Sequence, residues 1–227
     1  MHYIDRTAAG RRLALELAEY YDKDVVVVAL TPGAVLLGAE IAQGLHGQLV
    51  LRMVGKVQHP YDPGYTIGAL PPEGPAEYTY PAMDEIDPLQ LKKQLAYARS
   101  HVRINELLYD PFANDPHDVH GKTVVVVDDL VSSGLTMRVA LESLATEEPK
   151  ELVVAVTVAT VDGLRAIRHL ASRIVALERP RFYLGRLGHY YVDSSEPDVS
   201  TVRRLLRAYH TAHHPGAFYE YQQGAKP

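Results

Sequence analysis

Residues 123–136 read Thr-Val-Val-Val-Val-Asp-Asp-Leu-Val-Ser-Ser-Gly-Leu-Thr, and they indicate both an architecture and a site. The uninterrupted β-branched run Thr123–Val127 predicts a strand that is buried on both faces, as in a parallel sheet covered by helices. Two adjacent carboxylates, Asp128 and Asp129, follow the run. A small, hydroxyl-rich turn with one glycine comes next and opens a helix predicted over Leu135–Ala145.

The same alternation of apolar runs and amphipathic stretches continues on both sides of this segment. Further strands are predicted at Val25–Leu30, Leu49–Val54, Leu152–Thr160 and Ile174–Leu177. Further helices are predicted at Thr7–Tyr21, Ala34–Leu45, from Asp87-Pro88 onward, Asp162–Ser172 and Pro197–His213. Strands that alternate with helices form a mostly parallel sheet covered on both faces, so we expect an α/β sandwich of three layers.

Two regions depart from the alternation. Residues 55–82 contain six prolines and four glycines, and they predict a lid or a small hairpin insertion with Thr66–Leu70 as one strand. A disordered surface loop is the alternative. Residues 179–195 are expected to form a loop that caps one end of a single domain, residues 1–213. Residues 214–227 are expected to be a flexible tail, which aromatic residues would allow to dock: Phe218, Tyr219 and Tyr221.

Composition excludes several classes of protein. The chain has 227 residues and a net charge of −5, whereas a dedicated nucleic-acid binder normally carries a basic domain. It has no cysteine, so disulfides and thiolate chemistry are excluded. Its longest uncharged stretch, Val25–Ala39, contains Pro32 and is shorter than the roughly 20 residues of a membrane span. With no secretory signal visible, we expect a cytoplasmic protein that binds neither nucleic acid nor membrane.

The turn after the acid pair has the chemistry of a phosphate site. Residues Ser132–Thr136 offer backbone amides and three hydroxyls at a helix N-terminus, and Gly134 permits close approach. The neighbouring carboxylates suit vicinal hydroxyls or hydrated magnesium. A phosphate beside a diol is the outline of a ribose 5-phosphate. The alternative is that Ser132 caps the helix and the aspartates are solvated, which explains one serine but not the whole segment.

Other site motifs are missing. The sequence contains no Walker A pattern and no G-x-G-x-x-G dinucleotide fingerprint. It also contains no G-x-S-x-G nucleophile elbow, which makes Ser132 and Ser133 poor candidates for a nucleophile. The phosphate interpretation therefore rests on the acid pair and the turn.

Residues 124–136 resemble the phosphoribosyl-diphosphate (PRPP) signature of type I phosphoribosyltransferases. The signature is an apolar strand, an acid pair, three residues, Ser or Thr, Gly, any residue and Thr. The resemblance extends over about Ile4–Leu206 to a bacterial branch of that family. It is carried in the expected order by Asp5-Arg6 with Ala9-Gly10 and Leu13-Ala14, Val27–Gly33, Lys56, Ile67-Gly68-Ala69 and Gly188-His189-Tyr190-Tyr191.

The resemblance implies a magnesium-dependent transfer of the 5-phosphoribosyl group from PRPP to an acceptor, usually a nitrogenous base, with release of diphosphate. Asp128 and Asp129 would hold the ribose hydroxyls, and Mg²⁺ would be held through PRPP and Asp128. Lys56 would help to neutralise the diphosphate. The 5-phosphate would be bound by Val131, Ser132, Ser133, Gly134, Leu135 and Thr136, and the diphosphate would be faced by Thr31, Pro32, Gly33 and Ala34. The small-molecule substrates would be PRPP and the acceptor, and a homodimer is possible.

The chain departs from this branch on the diphosphate side. The branch usually has Pro-Arg-Gly-Gly where this chain has Thr31-Pro32-Gly33-Ala34, and it has arginine at the position of Gly55. Each missing charged contact is worth about 1.5–3 kcal/mol. Two alternatives to transfer therefore stay open. One is a regulatory module that binds PRPP or a nucleotide without transfer, and the other is a hydrolase of a phosphoribosyl compound.

Smaller signals have two interpretations each. Histidines with metal-ligand spacing are solvated surface residues in the alternative interpretation: His117, His120, His210, His213 and His214. Arg99 and Arg103 either reach an anion or pair with carboxylates on an exposed helix face. Tyr190 and Tyr191 either stack on a base or belong to the core. Three arginines of the last loop either contact the substrate or a second subunit: Arg179, Arg181 and Arg186.

Overall fold

The computed structural model describes residues 2–79, 82–113, 118–181, 183 and 185–213. Its strands are β1 (Val25–Ala29), β2 (Gln48–Leu51), β3 (Gly55–His59), β4 (Asp62–Leu70), β5 (Glu77–Tyr78), β6 (Thr123–Val131), β7 (Glu151–Ala159) and β8 (Arg173–Glu178). Its α-helices are α1 (Arg6–Glu16), α2 (Pro32–Leu45), α3 (Pro88–Tyr109), α4 (Leu135–Ala145), α5 (Val161–Ile167) and α6 (Val199–His213). The predicted α/β architecture is confirmed.

The main sheet has five strands in the order β2-β1-β6-β7-β8, and every neighbouring pair is parallel. Successive residues of a strand point to opposite faces. Val125 and Val127 therefore pack with α1, α2 and α6, whereas Val124 and Val126 pack with α4 and α5. Both faces are apolar, which explains the uninterrupted valine runs and produces the three layers.

A smaller antiparallel sheet, β3-β4-β5, lies within the region where the sequence predicted a lid or a hairpin. Helix α3 packs on it through a cluster that includes Val57, Ile67 and Ala98. The helix begins as predicted, since Asp87 caps it by accepting from the amides of Leu89 and Gln90. The apolar side of α3 is therefore used for covering this sheet.

Strand β6 is longer than its valine run predicted. The expected strand ended at Val127, but the structure continues it to Val131, because β7 extends to Ala159 and pairs with it over the whole length. Strand β1 ends earlier, with Ala29 opposite Val127. Residues 128–131 therefore have a strand neighbour on one side, and the acid pair lies within the strand.

Other boundaries also moved. Helix α1 ends at Glu16 and is followed by a 3₁₀ turn at Ala18–Tyr20, and α5 ends at Ile167. The predicted strand Leu49–Val54 already ends at Leu51. These differences affect the ends of the elements and leave their order unchanged.

The two ends of the described chain meet beside the sheet. Tyr3 forms a parallel bridge with Tyr191 and is bonded to the segment on both sides, through Tyr3 N to Tyr190 O and Val192 N to Tyr3 O. This pairing brings the N-terminus of α1 to the carboxyl end of the sheet. The predicted tail 214–227, with its aromatic residues, and His117 lie outside the described residues.

Candidate functional site

A cleft of about 700 Å³ opens at the carboxyl ends of β1 and β6. In open α/β sheets this is the edge where ligands bind. Its walls come from the turn after β1, the start of β3, one side of α3, and the segment that joins β6 to α4. The residues predicted on the diphosphate side, Thr31 and Lys56, and the acid pair line this same cleft.

The turn after β6 presents unpaired backbone amides to the cleft. Gly134 has φ of +82° and caps α4, which directs the first amides of the helix outward. The amide of Leu135 makes a 3.4 Å contact with its neighbour Ser133 Oγ. Among the described residues, no partner accepts from the amides of Ser132, Ser133, Gly134, Thr136 and Met137. Several free amides at one helix N-terminus form an anion site.

The turn is supported from behind by the start of α5. Thr160 Oγ1 donates to Ser132 O at 2.6 Å, and the Thr160 amide donates to Val131 O at 3.0 Å. Val131, which was predicted to contact substrate, is itself buried at the end of β6. A Cβ on Gly134 would lie 2.7 Å from Ala166 Cβ, so the turn fits this space only with glycine. The anion site is thus held in one shape before any ligand arrives.

Asp128 is the buried carboxylate next to this turn. Its Oδ1 accepts from the amide of Asp129 at 2.8 Å and from Thr31 Oγ1 at 3.3 Å. Its Oδ2 has no hydrogen-bond partner in the described part of the chain. Burial, and secondarily the charge of Asp129, raises the pKa of Asp128 to about 7. A free oxygen on a buried carboxylate indicates a position that awaits a donor or a cation.

Asp129 has a different environment. Arg6 Nε donates to its Oδ2 at 2.8 Å, and the Tyr191 hydroxyl donates to its Oδ1 at 2.7 Å. The Tyr191 oxygen also lies 2.7 Å from Thr157 Oγ1. Both partners are buried, and the Arg6 guanidinium lies over the Tyr191 ring at 5.7 Å. Asp129 is therefore held by the first helix and by the segment that follows β8.

The diphosphate side is formed by the turn before α2. Thr31 caps the helix by accepting from the Ala34 amide at 3.1 Å, and Pro32 occupies its first turn. Among described residues, the amide of Gly33 has no partner. A Cβ on Gly33 would lie 2.8 Å from Arg6 Nε, so Arg6 packs directly against this turn.

Lys56 is exposed on β3, and its charge opposes the rise of the Asp128 pKa. It is the one lysine or arginine among the described residues that line the cleft. A side chain at Gly55 is excluded, because its Cβ would lie 2.7 Å from Val102 Cγ2 of α3. The missing arginine at this position thus has a structural reason: α3 occupies its space.

The smaller signals lie away from the cleft or inside the core. Arg99 donates to the carbonyls of Pro72 and Gly74, and Arg103 pairs with Glu73, so both hold the segment after β4. The part of the chain that the structure describes contains no group of three or more potential metal ligands. Within that part, no helix is long and apolar enough to cross a bilayer.

Three residues of the site were not assigned a role from sequence: Arg6, Thr160 and Tyr191. Arg6 and Tyr191 belong to segments that carried the family resemblance, so a signal existed without a role attached to it. Thr160 ends a predicted strand, and its hydroxyl at a strand end was the signal. Each acts on a residue far away in the sequence, which no local pattern encodes.

The fold and this cleft define a class of protein. Residues 4–184 match the family model of the phosphoribosyl transferase domain, and the chain belongs to that family. The crystal structure of TT1426 from Thermus thermophilus is similar to 92% of this chain and 99% of its own, with 30% identity and a TM-score of 0.72.

Curated relatives from two strains of Mycobacterium tuberculosis are also similar. In the strain H37Rv this relative is Rv0571c, which is named a phosphoribosyl transferase on a provisional basis. It is 26% identical over 222 residues, which are 95% of this chain and 49% of the relative. The chain thus spans about half the length of the curated relatives that it matches.

Proposed function

We propose that the chain transfers the 5-phosphoribosyl group from PRPP to a nitrogenous acceptor and releases diphosphate, with Mg²⁺ as cofactor. The observation that carries the proposal is the adjacency of two features in one cleft. The free amides of Ser132–Met137 suit a phosphate, and the free Oδ2 of Asp128 next to them suits a sugar hydroxyl or a hydrated cation. A sugar phosphate satisfies both at once.

Transfer breaks the bond between C1 and the diphosphate oxygen, forms a bond between C1 and the acceptor nitrogen, and releases the acceptor proton. Charge develops on the leaving diphosphate, so stabilisation is needed on that side. The chain offers Lys56 and the free amide of Gly33 there. Thr31 bonds both to Asp128 and to the Ala34 amide, which keeps the diphosphate turn in register with the sugar site.

The donor set of the cleft fits magnesium. Asp128 supplies a carboxylate oxygen, the ligand type that Mg²⁺ prefers, and the ion would take its other ligands from PRPP and water. The charged residues that line the cleft in the described chain are Lys56 against Asp128, Asp129 and Glu196. Bound magnesium would neutralise the diphosphate. We therefore expect affinity for PRPP to require a divalent cation.

Binding without transfer is the second candidate. The specific observation in its favour is the packing of Val102 against Gly55, which leaves no room for an arginine on the diphosphate side. Such a protein would use the same phosphate and sugar contacts as a sensor of PRPP or a nucleotide.

Phosphorus NMR of PRPP with magnesium separates these functions. Diphosphate release that requires a purine, pyrimidine or amine from a panel supports transfer. Tight binding without release supports the sensor, and release that is independent of the acceptor supports hydrolysis. The Asp128→Asn variant is the control, and the proposed site is wrong if this variant equals the wild type in affinity and in rate.

Further parts of the proposal concern the protein's surroundings. The identity of the acceptor, a homodimer and a cytoplasmic location remain predictions. Gel filtration with light scattering tests the dimer, and the NMR panel tests the acceptor.

A further inference from the structure

The two acids of the pair differ in how many of their oxygens are free. Both oxygens of Asp129 already accept hydrogen bonds, one from Arg6 and one from Tyr191, and its side chain is 9% exposed. Asp128 uses only Oδ1, for the Asp129 amide and Thr31 Oγ1, and its Oδ2 is unpartnered among described residues. A sugar hydroxyl therefore finds a free acceptor on Asp128 and none on Asp129.

Arg6 explains what Asp129 does instead. The guanidinium has five N–H donors, and this one makes four hydrogen bonds. Besides the bond to Asp129, Nη1 donates to Ser195 O at 2.6 Å and Ser194 O at 3.3 Å, and Nη2 donates to Glu196 Oε1 at 2.7 Å. Asp129 and Glu196 balance its charge, so Arg6 is not a spare cation for the diphosphate.

The same guanidinium also fixes the diphosphate turn. Its Nε, Cζ and Nη2 atoms lie 2.8–3.0 Å from where a Cβ of residue 33 would be. Arg6 therefore contacts the end of β6, the turn before α2 and the segment Ser194–Glu196. Each of these borders the cleft or lies next to a residue that does.

We propose that the two acids have separate roles. Asp128 is the carboxylate that binds the sugar. Asp129 is a positioning residue, which anchors Arg6 and thereby holds the diphosphate turn against the end of β6. This inference rests on the proposed function, and it departs from the shared role in ribose binding that the family resemblance implied for both aspartates.

The test compares two ligands that differ only in the sugar hydroxyls. The probes are the 5-phosphates of methyl riboside and of methyl 2,3-dideoxyriboside, each titrated with magnesium by calorimetry. The ratio of their dissociation constants measures what the hydroxyls contribute to binding. A role that is merely structural changes both constants and leaves the ratio intact. We expect wild type to prefer the riboside by about tenfold or more, the worth of a charged hydrogen bond.

The variants give opposite expectations. Asp128→Asn should bring the ratio close to one. Asp129→Asn should weaken both ligands by the same factor and keep the ratio within about twofold of wild type. If Asp129→Asn does not fold, Arg6→Lys carries the same expectation, because it loosens the anchor and leaves Asp128 untouched.

Each outcome decides the question. Loss of the ratio in Asp129→Asn or Arg6→Lys, or its retention in Asp128→Asn, overturns the division of roles while the proposed function stands. A wild type that binds both sugars equally, or neither, overturns the proposed function and this inference with it.

Discussion

Arg6 Nε and Asp129 Oδ2 form a buried ion pair of 2.8 Å across 123 residues of sequence. The pair joins the first turn of α1 to the last residues of β6, the strand that carries the acid pair. The charges at the centre of the molecule thus hold together segments from opposite ends of the chain.

Replacing Arg6 by methionine should destabilise the protein by about 3–5 kcal/mol, because Asp129 would be left buried without its cation. Urea unfolding measures the loss. The matched control is Arg12→Met, which removes the exposed pair with Glu16 and should cost about 0.5 kcal/mol or less. Equal effects of the two substitutions would contradict the importance of burial.

Asp128→Asn should stabilise the protein at alkaline pH. Burial raises the folded pKa of Asp128 to about 7, above the unfolded value of 3.8, so the folded state binds the proton more tightly. This carboxylate therefore lowers stability as the pH rises from the unfolded pKa to the folded one. Thermal unfolding should show the variant ahead by about 1–3 kcal/mol near pH 8 and level with wild type near pH 4.

The control for this measurement is Asp24→Asn, since Asp24 is exposed. It should show no comparable dependence on pH. An Asp128→Asn variant that is less stable than wild type at alkaline pH would mean that the carboxylate is well solvated or paired, contrary to its burial.

Gly134→Ala should cost more than left-handed strain alone. At φ of +82° a side chain costs about 1–2 kcal/mol, and the new Cβ would also meet Ala166 Cβ at 2.7 Å. Gly121→Ala separates the two effects, because it has φ of +68° and no atom within 4 Å of a new Cβ. We expect Gly134→Ala alone to weaken binding of the riboside 5-phosphate, measured by calorimetry.

Lys56→Ala should weaken binding of magnesium diphosphate by about tenfold or more, the worth of one charged contact, whereas Lys56→Arg should retain it. Calorimetric titration measures both. Lys92→Ala, an exposed substitution on α3, is the control. Gly55→Arg should not improve binding, because Val102 occupies the space and the hairpin would have to move. Improved affinity in Gly55→Arg would show that α3 yields easily.

The sequence predicted what local pattern encodes. Valine runs predicted the strands because strands covered on both faces need apolar residues throughout, and Asp87-Pro88 predicted the start of α3 because capping is local. The carboxyl end of β6 was harder. Leu130 and Val131 are apolar, but only the length of β7 determines that they pair as strand.

Roles inside the site were less predictable than its location. The acid pair and the turn stood together in the sequence, so their proximity was certain. The different environments of Asp128 and Asp129 depend on Arg6 and Tyr191, which lie 123 and 62 residues away from Asp129. Equivalent neighbours in sequence thus acquired unequal surroundings through the fold.

The bonds from Arg6 to Ser194, Ser195 and Glu196 have a consequence for the order of folding. During synthesis the arginine emerges first, and its carbonyl partners emerge almost 190 residues later. The nascent α1 must therefore keep this cation hydrated until nearly the whole domain has left the ribosome. Assembly of the cleft is accordingly a late event, and shortened chains that stop before residue 194 should carry the sheet without a finished pocket.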